Sequence, residues 1–277
     1  MAEDVVTEEG TTMSTLSRLP RPITAAFLAK HRKLGTMPEF SRCWLVSGKL
    51  VVKTGRGVRR SEAETLHLLR RTGLPVPRVV DDYAHPETGD HVIIMEYVEG
   101  VPLDQMLDAM DGNGKRTVVT QLHHFVQTMR RDLRTSGFIG AVDSTEVKDH
   151  LFVAGRSGPF ETERDFVNGL VASLEARAEG SWIRLVSVLL NRLPDHGPQF
   201  VLTHGDLNAR NILVRGSQIV AVLDWGQAGY YPEHWESVKA CFWDLDMDFF
   251  HKAVVEEVLQ YYPLELSVML HARDIVW

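Results

Sequence analysis

The sequence predicts an α+β protein of two unequal lobes, a small β-rich half followed by a larger, mostly helical half. Three observations predict it. The 277 residues, 44% hydrophobic and 24% charged, suffice for one large domain or two smaller ones sharing a cleft. Up to residue 98, short runs rich in β-branched residues alternate with turn formers, whereas beyond Gly100 and Pro102 the apolar residues recur mainly at helical spacing.

The elements follow in order. Residues 1–20 are acidic, rich in Thr and Ser and without periodicity, and read as a solvated tail. Residues 21–98 form the first lobe. Ile23–Lys33 suits a short helix, and Cys43–Val46 and Leu50–Lys53 read as a hairpin across Ser47-Gly48. Ser61–Arg71 carries Ala63, Leu66 and Leu69 at helical spacing, with Ser61 as N-cap and Gly73-Leu74-Pro75 as the stop. Arg78–Tyr83 and His91–Val98, separated by a Pro86–Gly89 turn, complete a mixed sheet of at least four strands. Residues 99–277 form the second lobe. Leu103–Met110, Thr117–Leu133, Glu163–Ala178 and Trp182–Leu193 fit amphipathic helices, then β signal returns at Gln199–Thr203, Ile212–Val214 and Gln218–Leu223 before helices resume.

Charge and cysteine content narrow the function. Thirty basic against 37 acidic residues leave a net charge of −7, the wrong sign for a protein that must neutralise many phosphates of a nucleic acid. Two cysteines, Cys43 and Cys241, cannot build a disulfide framework, so the chain reads as cytoplasmic. Glu3, Asp4, Glu8 and Glu9 at the start exclude a secretory signal. The most apolar helical run, Trp182–Leu193, is broken by Arg184 and Asn191 and falls short of the roughly 18–20 residues a membrane span needs.

The short strands of the second lobe carry the chemistry. Thr203-His204-Gly205-Asp206-Leu207-Asn208-Ala209-Arg210-Asn211 is followed by Leu223-Asp224-Trp225-Gly226 at the end of the next hairpin. An Asp and an Asn five apart in a loop, with a second Asp beyond a hairpin, can converge on one Mg²⁺–nucleotide site. Phosphoryl transfer asks for a carboxylate to orient the attacking hydroxyl and for oxygen ligands to hold Mg²⁺. Asp206 fits the first role, Asn211 and Asp224 the second.

This pattern resembles the protein-kinase-like superfamily, and more closely its aminoglycoside phosphotransferase and choline-kinase-like branch, whose catalytic loop reads H-G-D-x-x-x-x-N. The run Ala228-Gly229-Tyr230-Tyr231-Pro232-Glu233-His234-Trp235-Glu236 is similar to the branch's A-G-x-x-P-E-x-W-E block. The resemblance implies a two-lobed kinase-like fold, ATP or GTP as phosphoryl donor, Mg²⁺, and a small-molecule hydroxyl acceptor as partner. It also implies that Lys53, closing Leu50–Lys53, grips the phosphates and that a helix glutamate holds it. Glu62 agrees with the register of Leu66, Leu69 and Pro75; Glu64, the competing choice, lies about 200° away around the helix. Met95, Glu96 and Val98 correspond to the last strand and hinge, with the backbone at Glu96 and Val98 on adenine and Leu213 beneath the base. His204 resembles a loop organiser, and Arg210 a residue steadying the loop or a phosphate. Two departures stand out. No G-x-G-x-x-G precedes Lys53, which leaves the loop Gly35–Ser41, with Ser41 donating a hydrogen bond to a phosphate; and Gly226 follows Asp224-Trp225 where close relatives often have Glu.

Other patterns read as structural. Asp244-Leu-Asp246-Met-Asp248 begins like a Ca²⁺ loop, but Phe249 and Val255 stand where Gly and Glu are needed, so a solvated helix face, or an acidic patch for a cationic substrate, is the expectation. Gly114-Lys115-Arg116 mimics a Walker A tail without its leading Gly or final Ser/Thr. Trp225, Trp235 and Trp243 are expected in the core. Two rival functions remain: a protein kinase, disfavoured because Pro232 follows Asp224 by only eight residues, and a nucleotide-binding scaffold without transfer, favoured only by the missing Gly-rich loop.

Overall fold

The computed structural model describes residues 19–35, 42–135, 137–243 and 250–276. Its first lobe is a five-stranded sheet, ordered β1-β2-β3-β5-β4, built from β1 (Arg32–Lys33), β2 (Cys43–Val46), β3 (Leu50–Thr54), β4 (Val79–Ala84) and β5 (His91–Glu96). Every pairing is antiparallel, so the expected mixed sheet is corrected. The helix Arg60–Arg70 carries the chain from β3 to β4, which run the same way but never touch, because β5 turns back between them and pairs antiparallel with both. Ser47 and Gly48 both take positive φ, 56° and 70°, which lets β2 turn directly into β3 with Val46 opposite Leu50.

Period-2 alternation gives the sheet two apolar faces. Leu50, Val52, Val92 and Ile94 pack with Ile23 and Leu28 on one side. Val51, Ile93 and Met95 face the other way, onto Ala63, Leu66 and Leu69 of a helix and the rest of the core. The segment before the sheet is helical only over α1 (Ala25–Leu28), N-capped by Thr24, and Arg32–Lys33 joins the sheet as β1 instead of prolonging the helix. The sheet-packed helix, α2, spans Arg60–Arg70. Ser61 is not its cap: the N-cap is Arg59, and Ser61 is buried inside the first turn.

In the second lobe, Leu103–Met110 is no helix. A 3₁₀ turn covers Leu103–Gln105, and the true start comes at α3 (Gly112–Asp132), where the Asp111 carboxylate accepts the Gly114 N–H at 2.7 Å. Gly114-Lys115-Arg116 therefore lies in the first turns of a helix. The remaining helices are α4 (Glu163–Glu175), capped by Thr162, α5 (Ser181–Leu190), α6 (His234–Trp243), a π-helical stretch Phe250–Glu256, and α7 (Pro263–Val276). Two small antiparallel sheets sit between them. One orders β10 (Gln218–Val222), β9 (Ile212–Arg215) and β6 (Val101–Pro102); the other orders β11 (Gly229–Tyr231), β8 (Phe200–Thr203) and β7 (Arg134–Thr135). Trp225 and Trp235 are buried, the latter edge-on to Phe166 at 4.8 Å and stacked on Tyr231 at 5.7 Å. Residues 1–18, Asp244, Asp246, Asp248 and the Trp243 side chain fall outside the described part. No helix among the described residues is long and apolar enough to cross a membrane.

Candidate active site

Strand alternation puts Lys53 on the same face as Val51, toward α2, with Cys43 and Ile93 as its cross-strand neighbours. Its ammonium donates to Glu62 Oε1 at 2.5 Å and to Asp224 Oδ1 at 2.7 Å, joining residues 171 positions apart. Glu64 points elsewhere and pairs with Arg60 at 2.8 Å. Burial works against the Lys53 charge, but the Asp224 and Glu62 carboxylates overcome it and raise its pKa. The same ammonium holds the Asp224 carboxyl down at about 2 against the opposing effect of burial. Burial raises the Glu62 carboxyl despite Lys53, and its Oε2 takes no hydrogen bond among the described residues.

Asp224 adopts a left-handed backbone, φ 62° and ψ 63°, unusual for a non-glycine residue and held here by the structure around it. Its side chain is 54% exposed, so the carboxylate meets Lys53 with one oxygen and the cleft with the other. Beside it, a methyl group added to Gly226 would stand 3.3 Å from Glu62 Oε2, 3.4 Å from Lys148 Nζ and 3.5 Å from Asp224 Oδ1. Glycine here leaves the room into which those three side chains converge.

The 204–211 loop forms the opposite wall. Gly205 has φ 78°, and a Cβ would lie 2.8 Å from the Gln227 carbonyl, so both conformation and space demand glycine. His204 is buried; its Nδ1 accepts the Asp206 N–H at 3.2 Å, so Nε2 carries the proton and donates to the Leu223 carbonyl at 2.8 Å. Burial lowers its pKa to about 4, which keeps the ring neutral and ties the loop to the residue before Asp224. The Asp206 carboxylate accepts from Asn208 Nδ2 at 3.0 Å and Asn211 Nδ2 at 3.1 Å. Burial, then the Asp224 charge, raises its pKa to about 6. Asn211 spends its amide nitrogen on Asp206 and keeps its carbonyl oxygen to offer.

At the hinge, Met95 is buried on β5 and the Glu96 N–H already donates to the Arg78 carbonyl at 2.9 Å. Val98 follows two residues beyond β5 and is half-buried, and Leu213 is buried on β9 opposite Pro102. Arg210 joins the loop through its backbone, whose N–H donates to Asn208 Oδ1 at 3.0 Å, while its side chain is exposed. Ser41 lies outside the described residues.

Sequence reasoning missed three contributors. Glu236 ends the Ala228–Glu236 block, whose pattern assigns it no task; it is buried and accepts the backbone N–H groups of His204 at 2.5 Å and Gly205 at 3.1 Å. Lys148 comes from an irregular segment with no periodicity, donates to the Gly57 carbonyl, and lies close enough to Glu62 and Asp224 to feel both charges. Its neighbour Asp149 meets Lys239 of α6 at 2.9 Å, with side chains 1% and 0% exposed, anchoring that segment to the second lobe.

A β-sheet lobe and a helical lobe, with Lys, Glu and two Asp meeting between them, define the protein as one of kinase-like fold. The chain belongs to the phosphotransferase enzyme family, whose model matches residues 39–268. Among solved structures, it is similar to a thermostable mutant of aminoglycoside phosphotransferase APH(4)-Ia in ternary complex with AMP-PNP and hygromycin B, at 15% identity and TM-score 0.59, covering 84% of this chain and 79% of that one. The GDP complex of aminoglycoside 2'-phosphotransferase-IIIa matches at 15% identity and TM-score 0.58, covering 97% and 87%. These likenesses establish the fold. A curated relative, the EKC/KEOPS complex subunit BUD32 of Encephalitozoon cuniculi (strain GB-M1), is 36% identical over 95 residues; the match takes in 32% of this chain and 45% of that protein, less than half its length.

Proposed function

We propose that the protein transfers the γ-phosphoryl group of Mg·ATP to a hydroxyl group of a small molecule in the cytoplasm. The observation that carries this reading is the three-way contact of Lys53 with Glu62 and Asp224, facing a loop in which Asp206 is held by Asn208 and Asn211. Lys53 grips the α- and β-phosphates, and Glu62 positions it. The Glu96 carbonyl and the Val98 N–H hold adenine, with Met95 and Leu213 packing near the base. Asp206 orients the acceptor hydroxyl and takes its proton. Asn211 and Asp224 offer oxygen donors of the kind Mg²⁺ selects, and the Asp224 side chain is open to the cleft, so the residues fit the ion. Bound there, Mg²⁺ would neutralise phosphate charge. His204 and Glu236 hold the loop in shape from behind.

A small acceptor is favoured over a peptide because the chain turns from Asp224 through a 3₁₀ turn, Trp225–Gln227, straight into β11, leaving no long segment to dock a protein substrate. The test is Mg·ATP turnover against a pool of hydroxylated metabolites and aminoglycosides, with phosphorylated products followed by mass. A product that disappears in Asp206→Asn supports the reading, and turnover within about tenfold of wild type in that variant refutes the role of Asp206. Binding of Mg·ATP with neither transfer nor hydrolysis would favour the scaffold.

A further inference from the structure

Four elements of the helical lobe bring a second set of ionisable side chains together. Glu163 is the first residue of α4, His234 the first of α6, His196 lies in the loop before β8, and Glu265 is in the first turn of α7. Glu163, His196 and His234 each present a donor atom within 4.8 Å of the other two. Glu265 Oε1 is 3.0 Å from His196 Nε2, and the Glu163 carboxylate accepts the His196 backbone N–H at 2.8 Å.

Two features of this cluster are unexplained by packing. First, the His234 side chain is only 6% exposed and its Nδ1 has no hydrogen-bond partner among the described residues; the nearest carboxylate oxygen, Glu163 Oε1, is 3.6 Å away. That is too long for a hydrogen bond. It is close to the spacing of two donors on one ion, since two bonds of about 2.1 Å at the tetrahedral angle hold their ends about 3.4 Å apart. Second, the Glu163 and Glu265 side chains are 4% and 5% exposed, yet among the described residues neither makes an ion pair with a Lys or Arg; their only such partners are the two imidazoles. A buried carboxylate either holds a proton or needs a counter-charge, and a bound cation supplies the second. Two carboxylates and two neutral imidazoles would be balanced by one divalent cation.

We propose that Glu163, His196 and His234 bind a single divalent ion of the zinc class, with the Glu265 carboxylate fixing the His196 ring. A mixed nitrogen and oxygen donor set with two imidazoles selects such an ion over Mg²⁺ or Ca²⁺, which favour all-oxygen sites. The ion staples the starts of α4 and α6 to the 191–199 loop and to α7. The carboxylate on His196 is the outer partner that fixes the ring of a ligating imidazole. This site is independent of the phosphoryl-transfer reading, which uses none of these residues.

The experiment is equilibrium dialysis of the purified full chain against Zn²⁺ in excess Mg²⁺, with retained metal measured by mass spectrometry and thermal unfolding followed in parallel. Wild type is expected to retain one Zn²⁺ per chain and to melt at higher temperature with it, a gain a chelator removes. His196→Gln and His234→Gln are expected to lose both the metal and the thermal gain, and Glu265→Gln to bind about 10- to 100-fold more weakly. Asp224→Asn is expected to retain the ion, which separates this site from the nucleotide cleft. Because His234 is buried and its variant can fail to fold, His196→Gln, at a side chain 27% exposed, serves as the second variant, with its fold checked by circular dichroism. No retained Zn²⁺ in wild type, or equal retention in the folded His196→Gln protein, overturns the proposal.

Discussion

Replacing Glu236 by Gln separates two opposing effects of one buried carboxylate. Glu236 is 1% exposed and accepts two backbone N–H groups of the 204–211 loop. Burial nonetheless raises its pKa from 4.5 to about 7, against the Arg130 charge and those same amides. A carboxyl whose folded pKa is raised retains its proton while the unfolded chain releases it, so stability falls as pH rises from 4.5 to about 7. At about 1.4 kcal/mol per unit, the wild type loses roughly 3 kcal/mol across that window from this group. Glutamine has one acceptor oxygen and no charge. At pH 5 the variant is therefore expected to be less stable by about 1–3 kcal/mol, the cost of one poorly satisfied amide. By pH 8 that deficit is expected to vanish or reverse, because only the wild type carries the cost of burying charge. Urea unfolding at both pH values reads the difference, and hydrogen exchange at the His204 and Gly205 amides reports the loop directly. Glu236→Ala, which strands both amides, is expected to cost about 2–6 kcal/mol. A deficit in the Gln variant that is constant or grows from pH 5 to pH 8 would refute the reasoning.

Three further outcomes are expected. Because burial and Asp224 raise the Asp206 carboxyl to about 6, kcat/KM should fall about tenfold per unit below that pH; a profile flat down to pH 5 would remove Asp206 as the base. Lys148 adds positive charge beside Glu62, Lys53 and Asp224, where the proposed phosphates bind, so Lys148→Met should raise the KM for ATP about tenfold, and an unchanged KM would confine Lys148 to its bond with Gly57. Lys239→Met leaves Asp149 buried without its partner and should cost about 3–5 kcal/mol in urea unfolding, most of it restored by adding Asp149→Leu; equal loss in the double variant would count against the ion pair as the cause.

Local signals carried most of the fold and the central chemistry. The strands Cys43–Val46 and Leu50–Thr54, the stripe Ala63, Leu66 and Leu69, and the loop from His204 to Asn211 are short-range patterns whose spacing reflects backbone geometry, and they are found where the spacing places them. The choice of Glu62 over Glu64 was likewise legible, because helical phase decides which side meets the sheet and Lys53. What local pattern could not supply came from contacts distant in sequence. Two-residue strands such as β1 and β7 have no period to detect and exist only because a neighbouring strand accepts them. Leu103–Met110 carries apolar spacing that packing uses without a helix, since the Asp111 cap starts the helix later. Glu236, Lys148 and the Glu163, His196 and His234 cluster act through approaches across 30 to 90 residues or more, and each is an unremarkable side chain in its own segment. Sequence by itself determined the strongly patterned elements and the phosphotransferase family. Only the tertiary structure decided which buried charges meet, because burial and distance set their energies and neither is a property of a single segment.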